Sequence, residues 1–291
     1  MPNVNKKMNQ QKQKQADSVE EIVRHFYDHF GWVSENAQCG EDVLFRQFRT
    51  PYYPYHDRVI DRTLSCFSGG GDCLLLAGGG DLPESHIKLA QQFLDVFCLD
   101  ISQKALEIAE SKLQERSRYC LGSILDIPFP ANTFDAVFCA HVIYHIDIDL
   151  QESAIDELIR VTKEGGRIVI IYSNPDSLIN RILALRDRVG RLVRRFRKKP
   201  EMSFSQPSSP NRPPLYFARH PLRWWNRFEP RCKVSMLPWD VMGNRQEKVL
   251  LRSDRMANLV YRVCSWIEEK FPNAAVRSWQ YPIIIIDKST D

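Results

Sequence analysis

Apolar residues crowd into short, dense runs through the middle of this chain, and longer segments of mixed polarity separate them. The runs are 73–77 (CLLLA), 96–99 (VFCL), 136–140 (AVFCA) and 167–172 (RIVIIY). Strands with so little alternation are covered on both faces, as in a parallel sheet. The intervening segments 85–94, 102–116 and 150–163 read as amphipathic helices. Strand and helix in alternation predict a doubly wound α/β domain.

The flanks differ. Residues 17–32 open with a cap candidate, Asp17 or Ser18, and place Ile22, Phe26 and Phe30 four residues apart before Gly31. That spacing predicts an amphipathic helix. A looser stretch, 40–56, leads into a second helix at 55–68. Beyond residue 173 the pattern predicts a helix over 177–199, a Pro/Ser-rich loop over 200–214, an aromatic helix over 216–228, and a strand at 232–237. A long helix at 253–270 and a closing strand at 282–287 follow, and the last two strands are placed to finish the same sheet. The resulting division is a disordered tail (1–16), a helical lid (17–68), a core (69–175), a basic and Pro/Ser-rich insert (176–230) and a C-terminal completion of the sheet (231–291).

Composition narrows the functional classes. No apolar stretch approaches the ~20 residues of a membrane span, and the Gln- and Lys-rich start lacks the apolar segment of a secretory signal. The eight cysteines, at 39, 66, 73, 98, 120, 139, 232 and 264, contain no CxxC pair, so reduced packing cysteines, a cytoplasmic setting and no structural metal are expected. Residues 178–200 hold nine Arg/Lys and one acid in a chain of net charge +4, so the remainder is net negative. The basic character is local and says little about what the main domain binds.

The first strand candidate breaks into Gly78, Gly79 and Gly80. In a doubly wound sheet a ligand sits at the carboxyl ends of the strands, where glycine lets main chain approach it. Asp100, twenty residues after Gly80, ends the second strand, where a carboxylate can accept from both hydroxyls of a ribose. A nicotinamide dinucleotide or S-adenosylmethionine would satisfy this pair. Pro83 stands where a dinucleotide fingerprint has its third glycine, and it lacks the N–H that a pyrophosphate needs.

The next segments favour the second cofactor. LLLAGGGD, CLDIS, GSILDIPFPANTFDAV and ELIRVTKEGGRIVII stand in order over residues 70–173. Together they resemble the class I S-adenosylmethionine-dependent methyltransferases, in particular the small-molecule group that includes the ubiquinone and menaquinone C-methyltransferases. The resemblance implies a Rossmann-like, seven-stranded, mostly parallel sheet. It implies that Gly78, Gly79 and Gly80 face the amino acid end of S-adenosylmethionine and that Asp100 takes the ribose. Ile101 would pack on the adenine, whose amino group Asp126 would accept from, with the Ile127 N–H nearby. Ala140 would line the floor near the sulfonium, and Tyr27 would close over the methionine part. Two positions depart from the family pattern: Leu76 replaces an acid and Leu82 replaces a glycine. Asp81 and Glu84 are the acids available in compensation.

His141 and His145 follow the fourth strand and are the candidate bases, because an imidazole titrates near ~6.5. Their four-residue spacing also suits a metal, but no third ligand is identifiable. Tyr52, Tyr53, Tyr144, Phe217 and Trp224 are candidate acceptor contacts, the first two in an aromatic cluster with Tyr55 and His56. The helix 178–199 spaces Leu178, Ile182, Leu185, Val189, Leu192 and Phe196 along one stripe. That stripe is expected to pack on the core, with membrane-surface contact as the competing reading. The expected activity is methyl transfer to O or N of a small acceptor such as a specialised metabolite, quinone or lipid. A degenerate cofactor-binding scaffold and an enzyme acting on RNA or a membrane-bound acceptor remain the alternatives, although nothing resembles a nucleic-acid module.

Overall fold

A computed structural model describes residues 19–32, 34–35, 38–39, 48–67, 69–80, 82–113, 117–196 and 214–290. The tail expected over 1–16 lies outside these residues, as does all of the expected 200–214 loop but Pro214. Seven strands form one sheet: β1 (Gly71–Ala77), β2 (Phe93–Asp100), β3 (Ser117–Leu121), β4 (Phe134–Ala140), β5 (Thr162–Ile171), β6 (Cys232–Asp240) and β7 (Tyr281–Lys288). Their order is β3-β2-β1-β4-β5-β7-β6, and β7 alone runs opposite to the other six. Strand order reverses between β1 and β4, which pair in register from Leu74 with Ala136 to Ala77 with Cys139.

The apolar runs alternate between faces. Leu74, Leu76, Cys98, Phe138, Val169 and Ile285 face one layer, while Leu75, Ala77, Val137, Ile168, Ile170 and Ile284 face the other. The first layer is covered by α2 (Tyr52–Ser65), α3 (Glu84–Ala90), α4 (Gln103–Leu113) and α8 (Asp254–Lys270). The second is covered by α5 (Gln151–Val161) and a 3₁₀ turn at Leu222–Phe228. Two short helices, α7 (Asn244–Leu250) and α9 (Pro272–Ser278), fall in stretches the sequence pattern leaves unassigned.

Helix α1 covers residues 19–26 and continues as a π turn, Tyr27–Gly31. Val19, Val23 and Phe26 are its buried positions, whereas Ile22, expected to face inward, is exposed. Tyr52 and Tyr53 begin α2 instead of ending a loop. The largest departure concerns α6 (Leu178–Phe196). It packs through Ile179 and Leu183, and the first three residues of the expected core-facing stripe, Leu178, Ile182 and Leu185, point to solvent.

Acids from the C-terminal third bind α2 to the sheet. Glu268 is buried and accepts from the Tyr55 hydroxyl (2.6 Å), the Trp279 indole N–H (2.7 Å) and Arg62 (2.8 Å). Asp240, pushed up to about 7 by burial, accepts from the Tyr52 hydroxyl at 2.7 Å. Glu247 accepts from Tyr261 (2.7 Å) and from the Arg49 N–H (2.9 Å). A buried acceptor that serves three donors leaves all three unsatisfied when removed. Glu268→Ala is therefore expected to cost about 3 kcal/mol or more in urea unfolding, with Glu268→Gln retaining part of the loss.

Candidate active site

The carboxyl ends of β1, β2 and β4 meet at the reversal in strand order. Ala77 ends β1, and Gly78 then turns with φ +85°, a conformation that glycine adopts without strain. Its N–H donates to the Leu99 carbonyl at 2.8 Å, which ties the turn to β2. A Cβ on Gly78 would come within 2.2 Å of Val142 Cγ2, and one on Gly80 within 2.7 Å of Ala105 Cβ and the Trp32 indole. The loop is thus bare main chain at close quarters. Leu76 and Leu82 flank it as buried apolar side chains. Asp81 and the side chain of Glu84 lie outside the described residues.

Asp100 closes β2 beside this loop. Its Oδ1 accepts the Ser102 N–H at 2.9 Å, and the amides of Gly79 and Ile101 also support the carboxylate. Burial is the larger influence and pushes the acid up to about 6, with Asp28 contributing repulsion. Ser102 is the cap of α4, because its Oγ accepts the Ala105 N–H at 3.1 Å. Ser102 Oγ in turn donates to Asp28 at 2.6 Å, and the Lys104 N–H donates to the same oxygen at 3.3 Å. An acid from the N-terminal helix therefore caps a helix of the core.

Further contacts from the N-terminal helix run along the same edge. Ser123 Oγ donates to Glu20. Tyr27 stacks on Trp32, with ring centroids 5.6 Å apart, and meets His145 edge-on at 6.1 Å. Trp32, Asp28 and Glu20 escaped sequence reading. A helix pattern shows which face is apolar, but not which polar residues on its other side reach a neighbour. Asp126 is exposed on the loop after β3, and Ile127 is buried. The Ile127 N–H, expected to be available to an adenine, instead donates to Glu157 Oε2 at 3.0 Å.

Beyond Ala140, His141 holds φ +63°, a left-handed conformation uncommon for a residue with a Cβ. Its N–H donates to the Ile171 carbonyl at 3.1 Å. Its Nδ1 shares a 2.8 Å hydrogen bond with the Tyr144 hydroxyl, and its ring lies 5.0 Å from Trp239 and 5.4 Å from Tyr281. Backbone strain of this kind gathers at functional sites and is held by its surroundings.

His145 has a different character. Burial pushes it down to about 4, so it is neutral near pH 7, and its Nδ1–H donates to the Tyr216 carbonyl at 2.7 Å. It anchors the insert, which also returns the Ala218 N–H to the Tyr144 carbonyl at 2.9 Å. Phe217 is brought alongside, 4.8 Å from Tyr144.

Tyr52 reaches the same side through Asp240 and His56, whose ring meets Trp239 at 5.8 Å. Two candidates are not gathered there. Tyr53 is half exposed on α2. Trp224 is buried in the other layer, stacked on His220 at 4.4 Å and packed on Phe228.

Residues 77–170 match the family described as methyltransferase domain. An uncharacterized protein of Methanocaldococcus jannaschii is 37% identical over 163 residues, which make 54% of this chain and 63% of that protein. The ubiquinone/menaquinone biosynthesis C-methyltransferase of Burkholderia cenocepacia is 32% identical over 100 residues, 33% of this chain and 40% of its own length. The chain thus spans less than two thirds of the length of these curated relatives. Among solved structures, the magnesium protoporphyrin IX methyltransferase of Synechocystis, with bound S-adenosylhomocysteine, superposes with a TM-score of 0.53 at 15% identity. That likeness covers 93% of this chain and all of the other. The N-methyltransferase NodS of Bradyrhizobium japonicum, also with S-adenosylhomocysteine, gives 0.50 at 13% identity over 94% of this chain and 98% of that one. The two structures, each holding S-adenosylhomocysteine, speak for the fold, and the sequence matches show a similarity to methyltransferases over part of the chain. Over residues 77–170 the chain is similar to the methyltransferase domain family, and its seven-stranded sheet has the Rossmann-like fold of the methyltransferase structures it superposes on.

Proposed function

We propose that this chain transfers a methyl group from S-adenosylmethionine to an oxygen or nitrogen of a small-molecule acceptor. The observation that carries the reading is the pairing of a bare glycine turn, 78–80, with an amide-supported acid, Asp100, at the reversal in strand order. The residues present suit the cofactor. Asp100 has acceptor capacity beyond its amide donors for a ribose diol, and the turn of Gly78, Gly79 and Gly80 would meet the amino acid end, with Trp32 packed at Gly80. Ile101 would cover the adenine, and the Asp126 carboxylate would accept from its amino group. Ile127 would contribute its side chain only, since its N–H serves Glu157. Ala140 would sit under the sulfonium, with Tyr27 above the methionine part. When bound, the cofactor supplies an electrophilic methyl group on a positively charged sulfur.

The acceptor side falls to His141, which would take the proton of the reacting O–H or N–H. Tyr144 orients its ring, and Trp239, Tyr281 and Phe217 provide an apolar setting. His145, neutral and bonded to the insert, is better suited to holding that wall than to proton transfer. Methylation at carbon is the second reading. It draws on the name of the Burkholderia cenocepacia relative, a C-methyltransferase. A phenolic acceptor deprotonated by His141 would present a nucleophilic ring carbon as well as its oxygen. Incubation of cell extract with isotope-labelled S-adenosylmethionine, followed by carbon NMR of the product, separates an O- or N-methyl from a C-methyl.

Two expectations test the site. A ribose diol donates to the ionised form of Asp100, so binding lowers this acid from about 6. Affinity should accordingly be full above pH 6 and fall as pH drops below it, by up to about tenfold per unit, in calorimetric titrations with S-adenosylhomocysteine. Asp100→Ala should weaken binding by roughly 1.5–3 kcal/mol and remove that pH dependence. His141→Ala should lower kcat by ~10²–10⁴-fold and leave cofactor affinity unchanged. Equal affinity of wild type and Asp100→Ala would overturn the cofactor placement.

A further inference from the structure

We propose that helix α6, together with the cleft at its base, docks this protein on an anionic phospholipid membrane. The inference goes beyond the methyl-transfer reading and does not rest on it. An amphipathic helix on a globular protein normally spends its apolar stripe on the core. Helix α6 carries two apolar sets: Ile179 and Leu183 hold it to the body of the protein. The second set, Leu178, Ile182 and Leu185, recurs at four- and three-residue spacing on one outward face, with exposures of 50%, 47% and 62%. Arg181, Arg186 and Arg188 are exposed along the same helix. In the sequence apolar residues recur at the same four- and three-residue spacing at Val189, Leu192 and Phe196, with arginines between them. An apolar stripe bordered by arginines suits the boundary between headgroups and acyl chains, where the apolar side chains sink and the guanidiniums reach phosphate.

The base of the helix adds charge complementarity. A cleft of about 870 Å³ opens there, lined by Leu178, Asp176, Arg181, Arg223, Asn273 and Arg277 among others. Arg181 approaches Asp176 at 3.9 Å. Among the described residues, the guanidiniums of Arg223 and Arg277 have no hydrogen-bond or ion-pair partner. Three arginines against one carboxylate suit a lipid phosphate, which a guanidinium can hold with two parallel hydrogen bonds. Helix α9 brings Asn273 and Arg277 to the cleft, and Phe271 immediately precedes it. Phe271 is 55% exposed and lies 5.7 Å from the ring of Trp266, itself 54% exposed. Exposed aromatic side chains are common at a membrane interface. No helix among the described residues is long and apolar enough to cross a membrane, so docking would be peripheral.

Co-sedimentation of the full chain with vesicles tests this, comparing phosphatidylcholine alone with phosphatidylcholine plus phosphatidylglycerol at physiological salt. Wild type should sediment with the anionic vesicles and stay in the supernatant with the neutral ones. Ile182→Ser/Leu185→Ser should reduce anionic-vesicle binding at least tenfold. Arg223→Gln/Arg277→Gln should reduce it by roughly fivefold per arginine and weaken its salt dependence. These side chains are exposed, so far-UV circular dichroism and the melting temperature should match wild type in both variants. Equal binding to both vesicle types, or variants that bind like wild type, would overturn the proposal. So would basic-face binding to tRNA that persists in preference to vesicles and ignores the serine substitutions.

Discussion

The site depends on a carboxylate held where water is scarce. Burial alone would favour its neutral form, and Asp100 is indeed pushed up to about 6. Three backbone N–H groups, from Gly79, Ile101 and Ser102, oppose that push. Each of them requires the main chain of the two loops to lie within reach of one side chain. Parallel strands meet this need, because β1 and β2 end side by side, with Ala77 opposite Leu99. The Gly78 N–H bond to the Leu99 carbonyl then turns the glycine loop toward the acid. Sheet register, loop conformation and the charge on one carboxylate are therefore a single linked arrangement.

The N-terminal helix is built into that arrangement. Asp28 accepts from the cap of α4, two residues from Asp100, and so adds negative charge where one is already costly. Trp32 packs on the spot where a Cβ on Gly80 would stand. The helix ends in a π turn, Tyr27–Gly31, after which Trp32 stacks on Tyr27 and packs at Gly80. Such single-turn widenings are frequent at functional sites.

Four of the seven strands were legible as uninterrupted apolar runs, since both faces of a central parallel strand are covered. β6 and β7 were legible too, as shorter runs near the C-terminus. β3 was not. Its five residues, SRYCL, lie at the sheet edge, and Leu121 there is largely exposed. Only pairing with β2, from Val96–Ser117 to Asp100–Leu121, defines it. The glycine turn and Asp100 were legible because they are local and spaced by the βαβ unit. His141 was legible as a position after β4, but not its left-handed backbone. Periodicity misread α6 for a physical reason. It reports that a helix is two-faced, whereas the direction of the core depends on where α6 leaves β5. Ile179 and Leu183, each one residue beyond a member of the stripe, took the packing role.

The buried leucines at 76 and 82 bear on how the glycine turn is oriented. Leu76 pairs in register with Cys98 and Phe138, in the middle of the sheet's apolar layer. A carboxylate at that depth would lie among apolar side chains and would need its own donors. The turn here is fixed by the main-chain bond from Gly78 to Leu99 on one side and by the Gly79 N–H to the Asp100 carboxylate on the other, with Val142 packed against the bare Cα of Gly78. Backbone hydrogen bonds between strands that are themselves buried do not depend on the ionisation of a side chain. A leucine at 76 is thus compatible with a formed loop, whose orientation falls to sheet register and the Asp100 carboxylate.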